Sequence, residues 1–171
     1  MSDDAPPTGN DLDAAARALG QALTDRGWQM AAAESCTGGL VGHVITQVPK
    51  SSDHFLGGIV SYSDDVKKDL LGVPAGLLDR FGAVSPEVAE AMARGALARF
   101  DVARVTVAVT GIAGPDGGSP GKPVGLTFVA AALRDGAATV ERHEWPFDRH
   151  GNKRASALAA LRLACRVVAE A

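Results

Sequence analysis

Apolar residues recur at helical spacing from Leu12 to about Arg26, where Leu12, Ala15, Ala16, Leu19, Ala22 and Leu23 share one face. Asn10 or Asp11 is the expected cap of this helix, and Gly27 its stop. Trp28 to Ala33 is a short apolar run, the pattern of a buried strand. Leu40 to Val48 returns to helical spacing and is closed by Pro49. Leu56 to Ser63 reads as a strand with a polar end, and Ser63 as the cap of a helix over Asp64–Leu71. Gly72 and Pro74 then break the chain before a short helix over Pro74–Arg80.

Ser85 followed by Pro86 predicts another helix start, with Val88, Met92, Ala96 and Leu97 inward and an end near Phe100. Arg104 to Thr110 is mostly apolar, which suits a central strand. Val124–Leu133 and Ala138–Trp145 flank the turn Arg134-Asp135-Gly136 and should pair antiparallel. By period two, Glu141, His143 and Trp145 share one face of the second of these strands, and Arg142 and Glu144 the other. Pro146 to Gly151 breaks the pattern, and a last helix is expected from about Asn152 to Glu170. Alternating strands and helices predict an α/β protein: a three-layer α/β/α sandwich with a mixed sheet. One domain is expected over residues 11–171, behind a flexible tail at 1–10.

Composition narrows this picture. The 171 residues are 46% hydrophobic but only 5% aromatic, so small side chains should let elements pack closely. A formal net charge of −3 gives no general electrostatic case for nucleic acid or an anionic membrane. The two cysteines, Cys36 and Cys165, do not make a disulfide framework, although a single bridge between them is left open. The longest apolar run is shorter than a membrane span needs, and the acidic first residues do not resemble a signal peptide. A cytoplasmic location is the expectation.

The candidate chemistry gathers at predicted strand ends: Glu34-Ser35, Tyr62-Ser63 and Thr110. Ser35 begins the stretch Ser35-Cys36-Thr37-Gly38-Gly39, between a strand and a helix. Two readings stand side by side there, a nucleophile and an ordinary helix-capping serine. Cys36 is a rival nucleophile or a buried filler. Lys67 lies about one helical turn past Ser63 and can point back to the same edge as a base for a serine, or stay solvated beside Lys68. The backbone of Gly111 to Gly118 is a candidate pocket lining, without the pattern of a phosphate loop. Arg149 and Arg154 either hold a phosphate or form a solvated helix start. None of the four histidines falls at a strand end near Ser35, and no metal-ligand spacing is present, so neither a histidine triad nor a metal is expected.

These residues also carry a resemblance. AESCTGG at Ala33–Gly39, SYSDDVKKDLLGV at Ser61–Val73, GAVS at Gly82–Ser85, GIAGPDGG at Gly111–Gly118 and KPVG at Lys122–Gly125 occur in this order. Together they resemble the nicotinamide-nucleotide amidohydrolase family, the C-terminal domain of competence/damage-inducible protein A. The resemblance covers nearly the whole chain after the tail. It implies hydrolysis of nicotinamide mononucleotide to nicotinate mononucleotide and ammonia, with Ser35 as nucleophile and Lys67 as base. It implies that Tyr62 and Thr110 orient substrate or relay protons. Backbone groups from Cys36, Thr37, Gly38 and Gly39 would be candidates for oxyanion or phosphate contacts, and Arg149 or Arg154 for phosphate. The implied assembly is a homo-oligomer that works without metal or other cofactor. Some family members also carry an N-terminal molybdopterin-binding-like domain, and the expectation for these 171 residues is the amidohydrolase domain alone. The competing expectation is a non-catalytic nucleotide-binding or assembly module with the same fold.

Overall fold

The computed structural model describes residues 5–171; the first four residues of the expected tail lie outside the described residues. The elements run α1 (Gly9–Arg26), β1 (Met30–Glu34), α2 (Leu40–Thr46), β2 (Phe55–Val60), α3 (Asp64–Leu71), α4 (Ala75–Phe81), α5 (Pro86–Arg99), β3 (Val105–Gly111), β4 (Leu126–Leu133), β5 (Ala138–Glu144) and α6 (Arg149–Glu170). A single 3₁₀ turn, Ser51–Asp53, precedes β2. The five strands form one sheet in the order β2-β1-β3-β4-β5. β1 is parallel to both β2 and β3, while β3–β4 and β4–β5 are antiparallel. The sheet is mixed, as the alternation of elements predicts.

Two apolar layers sandwich it. Met30 and Ala32 of β1, with Val105, Val107 and Val109 of β3, face α1, α2 and α6. Ala31 and Ala33, with Ala108 of β3, face α3, α4 and α5. Strand alternation sends neighbouring residues to opposite layers, which is why an unbroken apolar run suits a strand covered on both faces. The small residues bring backbones together as expected. A Cβ on Gly95 of α5 would stand 1.9 Å from the Leu71 carbonyl oxygen at the end of α3, so only glycine permits this approach. Thr106 adds a tie by donating to the Ala93 carbonyl at 2.7 Å.

Helix ends depart from the sequence reading in two informative places. α1 is capped by Thr8, not by Asn10 or Asp11. Thr8 and Asp11 form a reciprocal capping box, in which the Thr8 N–H donates to the Asp11 carboxylate at 2.8 Å. That box puts the acid three residues inside the helix. α6 starts at Arg149 instead of Asn152, because Asp148 caps it by accepting from the Gly151 N–H at 2.7 Å. Arg149 therefore stands on a helix's first turn and not in a loop. Cys36 and Cys165 are both free thiols.

Candidate active site

The parallel strands β1, β2 and β3 end at one edge of the sheet, where Glu34 pairs in register with Val60 and Val109. The chain just beyond them stays in register. The Ser35 N–H donates to the Val109 carbonyl at 2.9 Å, and the Ser61 N–H to the Glu34 carbonyl at 2.7 Å. Ser35, Ser61 and Thr110 therefore meet at the carboxyl edge, where open α/β sheets place ligands.

α3 brings the lysine. Ser63 caps it by accepting from the Val66 N–H at 3.3 Å, and Lys67 then projects back over the strand ends. Its Nζ lies 3.3 Å from Ser35 Oγ, 3.0 Å from the Ser61 carbonyl oxygen and 3.4 Å from that of Tyr62. Lys67 is 1% exposed and Ser35 7%. Burial pushes the Lys67 pKa below the ordinary 10.5, and the Asp64 carboxylate, 3.6 Å away, opposes that shift. Lys68 turns away and pairs with Asp65 at 2.6 Å on the surface. The Cys36 thiol is pushed up to about 12, first by burial, with the Glu34 charge acting in the same direction. It stays protonated at neutral pH, so it is a poor nucleophile beside Ser35.

Ser35 is not a helix cap. α2 begins at Leu40 with Gly39 as its N-cap residue, and Gly39 has no side chain to close the end. Glu34 closes it instead. One carboxylate oxygen accepts from Gly39 N–H at 3.0 Å and Val41 N–H at 3.1 Å, and the other from Gly42 N–H at 2.9 Å. The Gly38 N–H is engaged too, with the Ser35 carbonyl at 3.1 Å. Among the described residues, the N–H groups of Cys36 and Thr37 have no hydrogen-bond acceptor. The position of Glu34 beside Ser35 marked it as polar in a buried strand. Its fold-back onto α2 has no local sequence signal.

A cleft of about 180 Å³ opens over the serine and lysine. Its lining takes in Ser35, Cys36, Tyr62, Lys67, Thr110, Arg149, and Gly111 and Ala113 from the expected glycine-rich lining, together with Asp64, Ala83 and Val84, which the sequence did not single out for the site. The Thr110 hydroxyl donates to the Ala83 carbonyl at 2.7 Å. Gly111 packs so closely that a Cβ would stand 2.7 Å from the Leu126 carbonyl oxygen. Tyr62 is 63% exposed at the mouth, its hydroxyl 3.5 Å from Arg149 Nη2, while Arg149 Nη1 donates to the Gly114 carbonyl at 2.7 Å. Thr37, Gly38, Gly39 and Arg154 do not line the cleft. Thr37 Oγ1 and Arg154 Nε are buried without a partner among the described residues. Lys153, unremarked in the sequence, reaches the turn from α6, its Nζ 3.6 Å from where a Cβ on Gly38 would stand.

A larger groove of about 860 Å³ lies between Pro6–Thr8, β5 and α6. It is lined by no serine, cysteine or lysine, and its Glu141 and His143 already pair at 3.1 Å. Of the two, the smaller cleft is the one lined by the candidate serine and lysine. Among the described residues no cluster of three His, Cys, Asp or Glu side chains is placed to hold a metal ion, and no helix is long and apolar enough to cross a membrane.

The CinA C-terminal domain family matches residues 12–168. A CinA-like protein of Desulfotalea psychrophila is 52% identical over 128 residues, which are 75% of this chain and 31% of that protein. A putative competence-damage inducible protein of Symbiobacterium thermophilum is 46% identical over 166 residues, 92% of this chain and 39% of that protein. The chain thus spans about a third of the length of these curated relatives. The crystal structure of the competence/damage inducible protein CihA from Agrobacterium tumefaciens superposes with a TM-score of 0.90 at 39% identity, covering 98% of this chain and 99% of that one. A competence-damaged protein (CinA) superfamily structure from Escherichia coli gives 0.87 at 30% identity, covering 96% and 94%. With the profile match spanning nearly its whole length, the chain belongs to the family of CinA C-terminal domains.

Proposed function

We propose that this chain hydrolyses the carboxamide of nicotinamide mononucleotide to nicotinate mononucleotide and ammonia, with Ser35 as nucleophile and Lys67 as its base. The observation that carries the reading is the buried Lys67 Nζ at 3.3 Å from Ser35 Oγ. The two carbonyls of Ser61 and Tyr62 matter as much as the distance. A neutral amine has two N–H donors and one lone pair. With both donors on these carbonyls, the lone pair is left for the serine hydroxyl. The protonated amine donates to all three oxygens. Both protonation states are accommodated without rearrangement, which suits a group that takes and returns a proton.

The reaction follows from that arrangement. Lys67 removes the Ser35 proton as Oγ bonds to the carboxamide carbon, and the carbonyl oxygen becomes an oxyanion. The Cys36 N–H, on the cleft wall and without a backbone acceptor, is the proposed oxyanion contact, since Thr37 does not line the cleft and the N–H groups of Gly38 and Gly39 are engaged. Lys67 then protonates the nitrogen as the C–N bond breaks, and ammonia leaves. Water attacks the resulting ester with Lys67 again as base. The ester C–O bond breaks, Ser35 recovers its proton and the carboxylic acid ionises. Thr110 spends its hydrogen on Ala83 and so offers lone pairs, which suit the carboxamide NH₂. The cleft, about 180 Å³, is smaller than the ~300–1,000 Å³ that encloses a whole ligand, so it takes the carboxamide end. The ribose phosphate then extends past Tyr62 toward Arg149 at the mouth. No step calls on a metal or cofactor. A homo-oligomer is proposed from the family resemblance.

Purified protein incubated with nicotinamide mononucleotide should release ammonia and the acid in equal amounts, after exhaustive chelation as before it. Ser35→Ala should bind the nucleotide without releasing product, and Cys36→Ala should keep most of the activity. Nucleotide binding by the wild-type chain with no product would instead identify a binding module.

A further inference from the structure

We propose that Glu34 is a positioning residue of this site: its carboxylate pins the Ser35–Gly39 turn to the first turn of α2 and thereby sets where the Ser35 hydroxyl stands relative to Lys67. The inference rests on the Ser35–Lys67 reading. Glu34 is 2% exposed, and both of its carboxylate oxygens are spent on backbone N–H groups of Gly39, Val41 and Gly42. The side chain therefore closes a ring that starts at Glu34, runs through Ser35, Cys36, Thr37 and Gly38, and returns at Gly39. Within the ring, Gly38 has φ of 63° and Gly39 of 94°, backbone conformations that glycine adopts freely and leaves just as freely. α2 itself has only seven residues and no side-chain cap from its own N-cap residue. Without the carboxylate, the Gly38 N–H to Ser35 carbonyl bond at 3.1 Å is the one hydrogen bond left within the turn among the described residues, and it does not tie the turn to α2. The nucleophile sits on this turn, one residue from the anchor. The Ser35 N–H is held to β3 by the Val109 carbonyl at 2.9 Å, but the residue's carbonyl side runs into the turn and Lys67 comes from a separate element, so drift of the turn shifts the Ser35 hydroxyl relative to Lys67.

The carboxylate also occupies the place an outside anion would take. The α2 N-terminus, with its N–H groups turned to one point, already holds an internal negative charge. A substrate phosphate is therefore excluded from it and left to the basic groups at the start of α6.

Glu34→Gln tests the assignment, because the amide keeps the size but turns an N–H₂ toward backbone N–H donors, leaving at least one of them unpaired. Two measurements are made on this variant and the wild type. Amide hydrogen exchange at Gly39, Val41 and Gly42 reads the lock without any reference to activity. Labelling of Ser35 by a fluorophosphonate counts competent sites, so that turnover of nicotinamide mononucleotide is expressed per site. The expected result is exchange faster by about tenfold or more at these three amides. The kcat per labelled site should fall by a similar factor, with KM nearly unchanged and the acid limb of the pH profile where the wild type has it. Faster exchange with unchanged kcat per site would make Glu34 a cap and nothing more, and unchanged exchange would remove the lock itself. A purely structural role would lower the number of competent sites and leave each at full rate. Should Glu34→Gln fail to fold, Glu34→Asp keeps the charge but loses reach by one methylene, and a wild-type kcat in that variant overturns the proposal. A wild-type chain that neither turns over nor labels would sink the proposed function instead, and the exchange measurement would still decide the lock.

Discussion

Ser35 and Ser63 occupy similar places in the chain, each just past a strand and just before a helix, yet they end in different chemistry. Ser63 lies directly before α3, and its hydroxyl accepts from the Val66 N–H in the usual manner of a cap. Ser35 is separated from α2 by the Cys36–Gly39 turn, and Glu34 supplies the cap in its place. The hydroxyl of Ser35 is thereby left to meet Lys67. The same contrast recurs one element later. Lys67 and Lys68 are neighbours on α3, but a helix turns by about 100° per residue, so one is 1% exposed against Ser35 and the other 39% exposed against Asp65. Serines and lysines at junctions are common. What distinguishes the pair at this site is that Ser35 caps no helix and that Lys67, despite Asp64 at 3.6 Å on its own helix, reaches Ser35 Oγ at 3.3 Å.

The largest expected effect breaks the second contrast. Lys67→Met should lower kcat on nicotinamide mononucleotide by ~10²–10⁴-fold, while Lys68→Met stays near wild type. Equal losses in the two variants would mean a generic charge effect. In the wild type, activity needs the neutral amine, so kcat/KM should rise with pH along an acid limb that lies below 10.5, the direction burial imposes on Lys67. A limb at or above the ordinary lysine value would count against the base.

Next in size is the packing that seats α3. Gly95→Ala drives a Cβ into the Leu71 carbonyl, so α3 and α5 must separate. Urea unfolding should show a loss of ~1–3 kcal/mol, and turnover should fall with it because Lys67 rides on α3. Retained stability would mean that the helices part without cost.

Ser63→Ala removes a true cap and should cost ~1 kcal/mol of stability with activity nearly intact, whereas Ser35→Ala should abolish turnover and leave the melting temperature nearly unchanged. The reverse pattern would exchange the two roles.

The smallest effect comes from the opposite edge of the sheet and separates titration that affects folding from titration that affects chemistry. His54 is buried, with Nε2 unpartnered among the described residues, and burial lowers its pKa below 6.5 against the opposing pull of Asp53. The unfolded chain then binds the proton more readily than the folded one. Stability is full above pH 6.5 and declines as pH falls from there through the depressed folded value. Chemical unfolding at several pH values should show this decline, and His54→Gln should lessen it without moving the activity profile. A decline of equal size in the variant would assign it to other groups.

Much of this was legible in the chain. Helix and strand patterns, Pro and Gly breaks and cap residues lie within a few positions of one another, so local spacing carries them. The order of elements, the antiparallel β4–β5 return and the cap at Ser63 all follow from such spacing. So does the gathering of Ser35, Tyr62 and Thr110, because parallel strands present their carboxyl ends at one edge. Boundaries were less legible where two caps compete, as at Thr8 against Asn10 or Asp11, and where Asp148 starts α6 ahead of the expected residue. Only the tertiary structure decided the rest. The Ser35–Lys67 contact joins residues 32 apart in sequence, and its 3.3 Å depends on strand register and on the seating of α3. Which backbone N–H groups remain open near Ser35 depends on Glu34 folding back onto α2, a choice made by burial, since a carboxylate with no water around it must find donors. Residue types and spacing set what each segment can become, while burial and register determine which polar groups face one another.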